Sequence, residues 1–336
     1  MKIAFSPTLK QAAQVLILTA VLASCKKDDG INSSELLVYL PGEYSSANNT
    51  ITLPLLHTPI AVSGVTMAKV APRATREAAA DIDVTIATDT SLVRSYNKAN
   101  GTSMLTLPEN TYRLVNPGKF RIKAGSVSTD SLQIELTHPE LLKDPAGYLL
   151  PLRITQLEGA DKGAAISSNQ RAAYVNVTYS YTNIDTAQAT LAGTLISRTG
   201  WSVTVSNTTA GALGPAMLDG SNTTAWRSSN STTAAKWVIL DMGSARTIKG
   251  LRFTPNYVAV AENPTAITVS TSADNTLFAA QGSWKGTGPA SSSSATNPDI
   301  KNINFIAPVT ARYIRFDITS LVSGGRVGIG ELNAVQ

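Results

Sequence analysis

The chain has 336 residues, a formal net charge of +5 and a single cysteine. One cysteine excludes an intrachain disulfide and a cysteine-cluster metal site. The 28 basic and 23 acidic residues are too evenly balanced, and too dispersed, to favour a nucleic-acid-binding protein. A chain of this length is expected to form two domains, each stabilised by its own hydrophobic core.

The first 24 residues have the pattern of a signal peptide. Lys2 and Lys10 provide positive charge around the start of an apolar stretch that covers residues 15–23. This stretch is shorter than the roughly 20 apolar residues that a membrane-spanning helix needs, and its length fits the hydrophobic region of a signal peptide. We therefore expect residues 1–24 to be removed during export.

The apolar stretch ends in LASC at residues 22–25, which resembles the lipobox of bacterial lipoproteins. The resemblance implies cleavage before Cys25, lipid on its thiol, and an outer-membrane protein held by lipid alone, since several acyl chains bind firmly. Residues 25–33 form the expected tether, and KKDD at 26–29 resembles the export signal of Bacteroidetes-type surface lipoproteins. The alternatives are a buried free thiol at Cys25 and a solvated tether that carries no export signal.

Alternating apolar and polar residues predict strands along most of the remaining chain. Such alternation is typical of half-buried strands in antiparallel sheets. One short helix is also expected, with Asp89 or Thr90 as its N-cap and Gly101 at its end. The clearest strand patterns cover residues 132–136, 175–181, 237–241, 267–270 and 313–318.

These patterns predict an all-β protein with two β-sandwich domains in series. The N-terminal domain is expected at residues 34–181 and the C-terminal domain at residues 197–336. Residues 182–196 contain few large apolar side chains, so we interpret them as a linker.

Four motifs occur in order in the C-terminal domain: Trp201, LDGSNTTAW at 218–226, WVILDMG at 237–243, and RYIR at 312–315 with GEL at 330–332. Together they resemble the coagulation factor 5/8 type C, or discoidin, family. Its sugar-binding version in bacteria is the family-32 carbohydrate-binding module. The resemblance implies a discoidin-like jelly roll of antiparallel strands.

The N-terminal domain resembles a different family, domain of unknown function 1735, which occurs in surface lipoproteins linked to glycan use. The resemblance implies a spacer or assembly module, because that family has no assigned chemistry. The matching pieces are VYLP at 38–41, residues 92–93 with 96–97, NGT at 100–102, residues 107–108 with Tyr112, residues 124–125, and YLLP at 148–151.

The turn at residues 218–224 is rich in oxygen ligands. Calcium binds six to eight oxygens, and a tight turn can supply carbonyl and hydroxyl groups beside one carboxylate. The resemblance to sugar-binding modules implies a structural calcium ion here. The alternative is a hydrogen-bonded Asx-type turn without an ion. The implied ligands are Leu218 through its carbonyl, Asp219, Asn222, Thr224 and Glu331.

A sugar site needs an aromatic face and a few hydrogen-bonding groups around it. The resemblance implies that this site lies on loops at one end of the sandwich, and Trp284 within GSWK is expected in such a loop. For each candidate the alternative is packing or a solvated loop, and Trp226 and Trp237 are expected in the core. The candidates are Arg227, Asn256, Tyr257, Trp284 and Arg326.

No catalytic motif is evident, so we expect a protein without enzymatic activity. The two histidines, His57 and His138, lie outside any zinc-binding or nucleophile pattern, and no phosphate-binding glycine loop occurs. Paired carboxylates for glycoside cleavage meet only in space, and one sequence does not reveal them.

The sequence thus predicts a cell-surface lipoprotein that binds a glycan or oligosaccharide and works with other glycan-utilisation proteins. A second hypothesis is an adhesion or structural protein that binds a protein or an envelope component, because one fold serves both purposes. A third is an accessory to a glycoside hydrolase, or a weak hydrolase.

Overall fold

A computed structural model describes residues 35–42, 49–159 and 163–336. The predicted signal peptide, Cys25 and the tether lie outside the described residues. The structure is nearly all β, with two domains in series, which confirms the predicted fold class. No helix in the described part is long and apolar enough to cross a membrane.

The contacts between Cα atoms divide the chain into two compact units. The first unit contains the described residues up to Thr52, together with Met67–Glu135 and Leu149–Asn176. The second unit contains Leu53–Thr66, Leu136–Tyr148 and Val177–Gln336.

The N-terminal domain consists mainly of short strands. Its helix, α1, spans Leu92–Asn100, buries Val93 and Tyr96, and ends as predicted at Gly101, in the left-handed conformation with φ 64°. The predicted N-cap is wrong, because Ser91 rather than Asp89 or Thr90 holds that position. Two 3-10 helices cover Glu109–Thr111 and Pro139–Leu141. The strands are β1 (Leu36–Tyr39), β2 (Thr50–His57), β3 (Val62–Gly64), β4 (Met67–Val70), β5 (Arg73–Ala74), β6 (Ile82–Thr88), β7 (Leu105–Thr106), β8 (Tyr112–Val115), β9 (Lys119–Ile122), β10 (Leu132–Leu136), β11 (Tyr148–Gly159), β12 (Ala164–Ile166) and β13 (Ala172–Tyr181).

These strands form three sheets, with the orders β12-β1-β5, β4-β10-β8 and β3-β2-β13-β11-β6-β9, and β7 pairs with β11. Burial follows the predicted alternation. Leu132, Ile134 and Leu136 are buried along β10, and Val175 and Val177 are buried along β13. The period of two therefore identifies these strands correctly.

The C-terminal domain is built on longer strands. Two 3-10 helices, Gly214–Met217 and Val260–Glu262, lie in its connections. Its strands are β14 (Ile184–Asp185), β15 (Ser202–Val205), β16 (Trp226–Arg227), β17 (Trp237–Pro255), β18 (Pro264–Ser272), β19 (Ala279–Lys285), β20 (Lys301–Leu321) and β21 (Gly328–Val335).

The pairing of β17 with β20 forms the centre of this domain. The eight strands have the order β16-β21-β17-β20-β18-β19, with β14 on β20 and β15 on β17. Val238 lies opposite Phe316, and Leu240 lies opposite Ile314. All four side chains are at most 1% exposed, and burying each one contributes roughly 1.5–3 kcal/mol to stability. Trp226 is also fully buried, as predicted, whereas Trp237 is only partly buried and lies outside the core.

Residues 182–196, which we interpreted as a linker, contribute to the C-terminal domain. Ile184 pairs with Phe305 through β14, and the N–H of Ile196 donates to the Ala334 carbonyl at 3.0 Å. Ile184 and Ile196 are only 2% and 6% exposed. Their side chains therefore belong to the hydrophobic core of this domain.

Candidate functional site

Three loops of the C-terminal domain are drawn together by backbone hydrogen bonds. The N–H of Ser231 donates to the Gly325 carbonyl at 2.9 Å, and the N–H of Val322 donates to the Asn263 carbonyl at 3.0 Å. The three loops therefore form one continuous surface. We call this surface the loop cluster, and it comprises residues 227–236, 256–263 and 321–327.

The side chain of Asn263 fixes the conformation of the middle loop. Its Oδ1 accepts a hydrogen bond from the Asn256 N–H at 2.6 Å, while its Nδ2 donates to the carbonyls of Asn256 at 2.9 Å and Val260 at 3.1 Å. Asn263 is 1% exposed, and a buried amide with satisfied donors and acceptors holds its neighbours rigidly. The sequence analysis missed this residue, although the Asn-Pro dipeptide is a turn signal.

Glu262 lies between two arginines of the loop cluster. Arg227 Nε donates to Glu262 Oε2 at 2.7 Å, and its Nη2 donates to Oε1. Arg326 Nη1 lies 3.7 Å from Glu262 Oε1. The hydrogen bonds to Glu262 raise the pKa of the Arg227 guanidinium. Sequence reasoning missed Glu262 because its partners lie 35 and 64 positions away in the chain.

Asn256 packs beside this ion-paired group. A Cβ placed on Gly328 would lie 2.9 Å from Asn256 Nδ2 and 3.2 Å from Glu262 Oε2, so the glycine leaves room for both side chains. Asn256 is 7% exposed. The structure therefore brings together Arg227, Asn256 and Arg326, three of the five predicted sugar-binding residues.

Tyr257 lies in the same loop and is partly exposed. It is followed by Val258, which is 74% exposed, and by Val260, which is 50% exposed. The loop cluster thus presents an aromatic ring and apolar side chains beside its charged groups. This arrangement can contact the apolar face of a ligand and hydrogen-bond to its polar edge.

Trp284 does not belong to the loop cluster, and its predicted place in a loop is wrong. It lies in β19, opposite Ile267 of β18, and is 8% exposed. Its ring meets Phe253 edge to face, with 5.3 Å between the ring centroids. The side chain is part of the hydrophobic core.

Lys236 is a buried cation at the edge of the loop cluster. It is 8% exposed, and its Nζ donates to the carbonyls of Ser231 at 3.0 Å and Ala234 at 3.4 Å. Burial lowers the pKa of the Lys236 ammonium group. The residue lines a cleft of about 230 Å³ that also touches Gly324 and Gly325.

The predicted calcium turn is held by hydrogen bonds. Asp219 Oδ1 accepts from the Ser221 N–H at 2.8 Å, and Asp219 Oδ2 accepts from Thr224 Oγ1 at 2.8 Å. Glu331 Oε1 accepts from the Gly220 N–H at 3.0 Å. Gly220 has φ +82°, which a glycine adopts without strain. The turn is thereby joined to β21.

Arg198 supplies positive charge to the two carboxyl groups of this turn. Its Nη1 forms a salt bridge with Glu331 Oε2. Burial alone would raise the pKa of Asp219, but the hydrogen bonds it accepts and the charge of Arg198 outweigh burial, so its pKa is lowered. Burial raises the pKa of Glu331, and Arg198 offsets this only in part.

The donor atoms of the turn fit calcium chemically, because they are all oxygens and include the carboxylates of Asp219 and Glu331. The described residues contain no group of three or more His, Cys, Asp or Glu that could hold a metal. An ion would therefore also need neutral oxygens, such as Thr224 Oγ1. Of the remaining implied ligands, Leu218 follows the 3-10 helix, and Asn222 Nδ2 donates to the Ala295 carbonyl at 3.1 Å.

The two histidines lie outside the loop cluster. His57 is 4% exposed and packs against Tyr179 with the two rings tilted by 51° and their centroids 4.9 Å apart. His138 is exposed and lies 3.1 Å from Glu140. Neither arrangement has the geometry of a nucleophile and its base.

The fold and the motifs define a class of protein, a two-domain β protein whose C-terminal domain is discoidin-like. Residues 202–332 match the family model of the F5/8 type C domain, which confirms the first family resemblance. A family model described as an N-terminal domain matches residues 31–161. The F5/8 type C domain is a non-catalytic module.

One solved structure has the same two-domain architecture. A two-domain protein of unknown function from Bacteroides fragilis is 18% identical, with a TM-score of 0.55, and the match covers 99% of this chain and all of that one. The family 32 module of NanJ from Clostridium perfringens, solved with galactose, is 18% identical, covers 43% of this chain and 100% of that chain, and has a TM-score of 0.37. No curated protein gives a match.

Proposed function

We propose that this chain binds carbohydrate through the loop cluster of its C-terminal domain. The observation that carries the proposal is the convergence of Arg227, Asn256 and Arg326 around Glu262, in a loop cluster that also contains the partly exposed Tyr257. An aromatic ring packs against the C–H face of a sugar, while guanidinium and amide groups hydrogen-bond to its hydroxyls. The match of residues 202–332 to the F5/8 type C domain supports the proposal.

We further propose that the protein is a lipoprotein anchored through Cys25 and exposed at the outer membrane surface. The lipobox-like LASC sequence at residues 22–25 and the KKDD tetrad support this location. In this account the domain at residues 34–181 holds the C-terminal domain away from the membrane. The protein would then act in glycan capture, together with other glycan-utilisation proteins at the cell surface.

A structural calcium ion at the Asp219 turn is part of the same proposal. Asp219, Asn222, Thr224 and Glu331 would supply side-chain oxygens, and Leu218 would supply its carbonyl. The ion would provide positive charge that cross-links the turn to β21. The salt bridge between Arg198 and Glu331 already makes part of this connection.

A glycan array probed with the full chain tests the carbohydrate proposal. We expect at least one oligosaccharide to bind, with a Kd on the order of 0.1–1 mM, because a solvated polyol gains little net hydrogen bonding. Calorimetry with the best hit then gives the affinity. The proposal fails if no glycan binds at millimolar concentration.

An adhesion protein is the second candidate, and the apolar part of the loop cluster favours it. Val258 and Val260 are 74% and 50% exposed beside Tyr257, and exposed apolar patches are typical of protein interfaces. Replacing both valines with serine would abolish binding to a protein partner. The same replacement would leave sugar binding through Arg227 and Tyr257 largely intact.

A further inference from the structure

Lys236 is a buried cation that has no carboxylate partner among the described residues. It immediately precedes β17, is 8% exposed, and forms no salt bridge there. An ammonium group has three N–H donors, and Lys236 donates hydrogen bonds to the carbonyls of Ser231 and Ala234. Buried lysines are normally paired with an acidic group, so an anionic ligand can supply the counter-charge at this position.

The cleft beside Lys236 has room for such a group. Its volume of about 230 Å³ corresponds to roughly seven or eight water molecules at about 30 Å³ each. The lining contains hydroxyl groups and glycine backbone but no acidic side chain. Its polar and glycine residues include Ser231, Thr232, Ser320, Ser323 and Gly324.

A second observation in the same loops also favours an anionic ligand. The Nε atom of Arg326 is buried and has no hydrogen-bond partner in the described structure. The loop cluster contains three cations, Arg227, Lys236 and Arg326, and one carboxylate, Glu262. Positive charge in a partly buried surface acts more strongly than the same charge in water, so the cluster favours an anionic ligand.

We propose that the loop cluster selects glycans that carry a carboxylate or sulfate group, and that Lys236 binds this group in the cleft. The inference rests on the proposed carbohydrate-binding function and names the class of sugar. Charge-assisted hydrogen bonds are stronger than neutral ones. An acidic sugar should therefore bind about tenfold more tightly than its neutral counterpart.

The test is calorimetric titration of the full chain with D-galactose, D-galacturonic acid and galactose 6-sulfate. The two acidic sugars distinguish a preference for carboxylate from one for sulfate. Inorganic sulfate alone is a fourth probe, read as a shift in melting temperature. The variants are Lys236→Gln, Lys236→Arg to restore the charge, and the exposed Lys285→Gln as a control. Melting curves establish that each variant is folded.

We expect the acidic sugars to bind about tenfold more tightly than galactose at low salt, and the difference to shrink in 500 mM salt through screening. Lys236→Gln should lower the affinity for the acidic sugars to that for galactose, and Lys236→Arg, which keeps the positive charge, should preserve the difference. Equal affinity for galactose and both acids overturns the inference but leaves the proposed function standing. An acid preference that survives in folded Lys236→Gln also overturns it. If no sugar binds while inorganic sulfate stabilises the wild type but not Lys236→Gln, the anion site stands and the carbohydrate function fails.

Discussion

The buried imidazole of His57 makes stability depend on pH. Burial lowers the pKa of His57, the charge of Lys143 lowers it further, and a hydrogen bond with the Leu142 backbone opposes both. The unfolded chain therefore binds more protons than the folded chain below the ordinary pKa of 6.5. The contribution of neutral His57 is complete above that pH and is lost as the pH falls. We expect the melting temperature to drop between pH 7.5 and pH 5.5.

Two variants separate His57 from the other titrating groups. His57→Phe keeps a ring against Tyr179 and should flatten the pH dependence. His138→Gln, at an exposed position, should keep the wild-type slope. A His57→Phe protein with the full wild-type slope would show that another group is responsible.

Asp219 and Arg198 allow a test of the calcium proposal. An ion that binds only the folded protein stabilises it by about 2.7 kcal/mol at 100 times its Kd. Added calcium should raise the melting temperature after chelation, and Asp219→Ala should abolish the rise. Arg198→Gln should enlarge the rise in melting temperature, because the salt bridge of Arg198 with Glu331 competes with the ion for that carboxylate. A wild-type melting temperature that calcium leaves unchanged would favour the hydrogen-bonded turn alone.

At the scale of elements, β19 shows why the side chain of Trp284 was assigned to the wrong place. In β19 the buried positions are Gln281 and Trp284, three residues apart. The register between β18 and β19 shifts between Val269 and Ser270, which leaves Gln281 as the extra residue of a bulge. The shift breaks the period of two, so alternation does not reveal this strand. Regular strands such as β10 were predictable because their period is unbroken.

Trp284 should therefore matter for stability rather than for ligand contact. Trp284→Ala removes the ring packed against Phe253 and should cost about 3–5 kcal/mol of unfolding free energy. Tyr257→Ala, at a partly exposed loop position, should cost far less. Urea denaturation of both variants measures the difference. The interpretation fails if Trp284→Ala keeps wild-type stability but loses sugar binding.

At the scale of the whole molecule, the two domains were predictable because each carries several motifs in order. The role of residues 182–196 in the C-terminal domain was harder to predict. It depends on two isolated isoleucines, Ile184 and Ile196, whose backbones pair with distant strands. The loop cluster was equally hard to predict from the sequence. Candidates such as Arg227 were visible as residue types, but their shared partner Glu262 depends on the fold.

The proposed anchor makes its own prediction for the complete protein. Without the thiol of Cys25, no lipid can be attached at this position. In cell fractionation, Cys25→Ser should appear in the soluble fraction or as an uncut precursor. A processed serine variant that stays with the membrane would contradict the lipoprotein proposal.

Calorimetric titration of the best array glycan into wild-type protein and Tyr257→Ala tests the central claim most directly. We predict a wild-type Kd on the order of 0.1–1 mM. Losing the aromatic contact should weaken binding by about 1 kcal/mol, roughly fivefold. Leu277→Ala, at an 82% exposed position outside the loop cluster, should bind like the wild type. Equal affinity of folded Tyr257→Ala and wild type would contradict the assignment of sugar binding to the loop cluster.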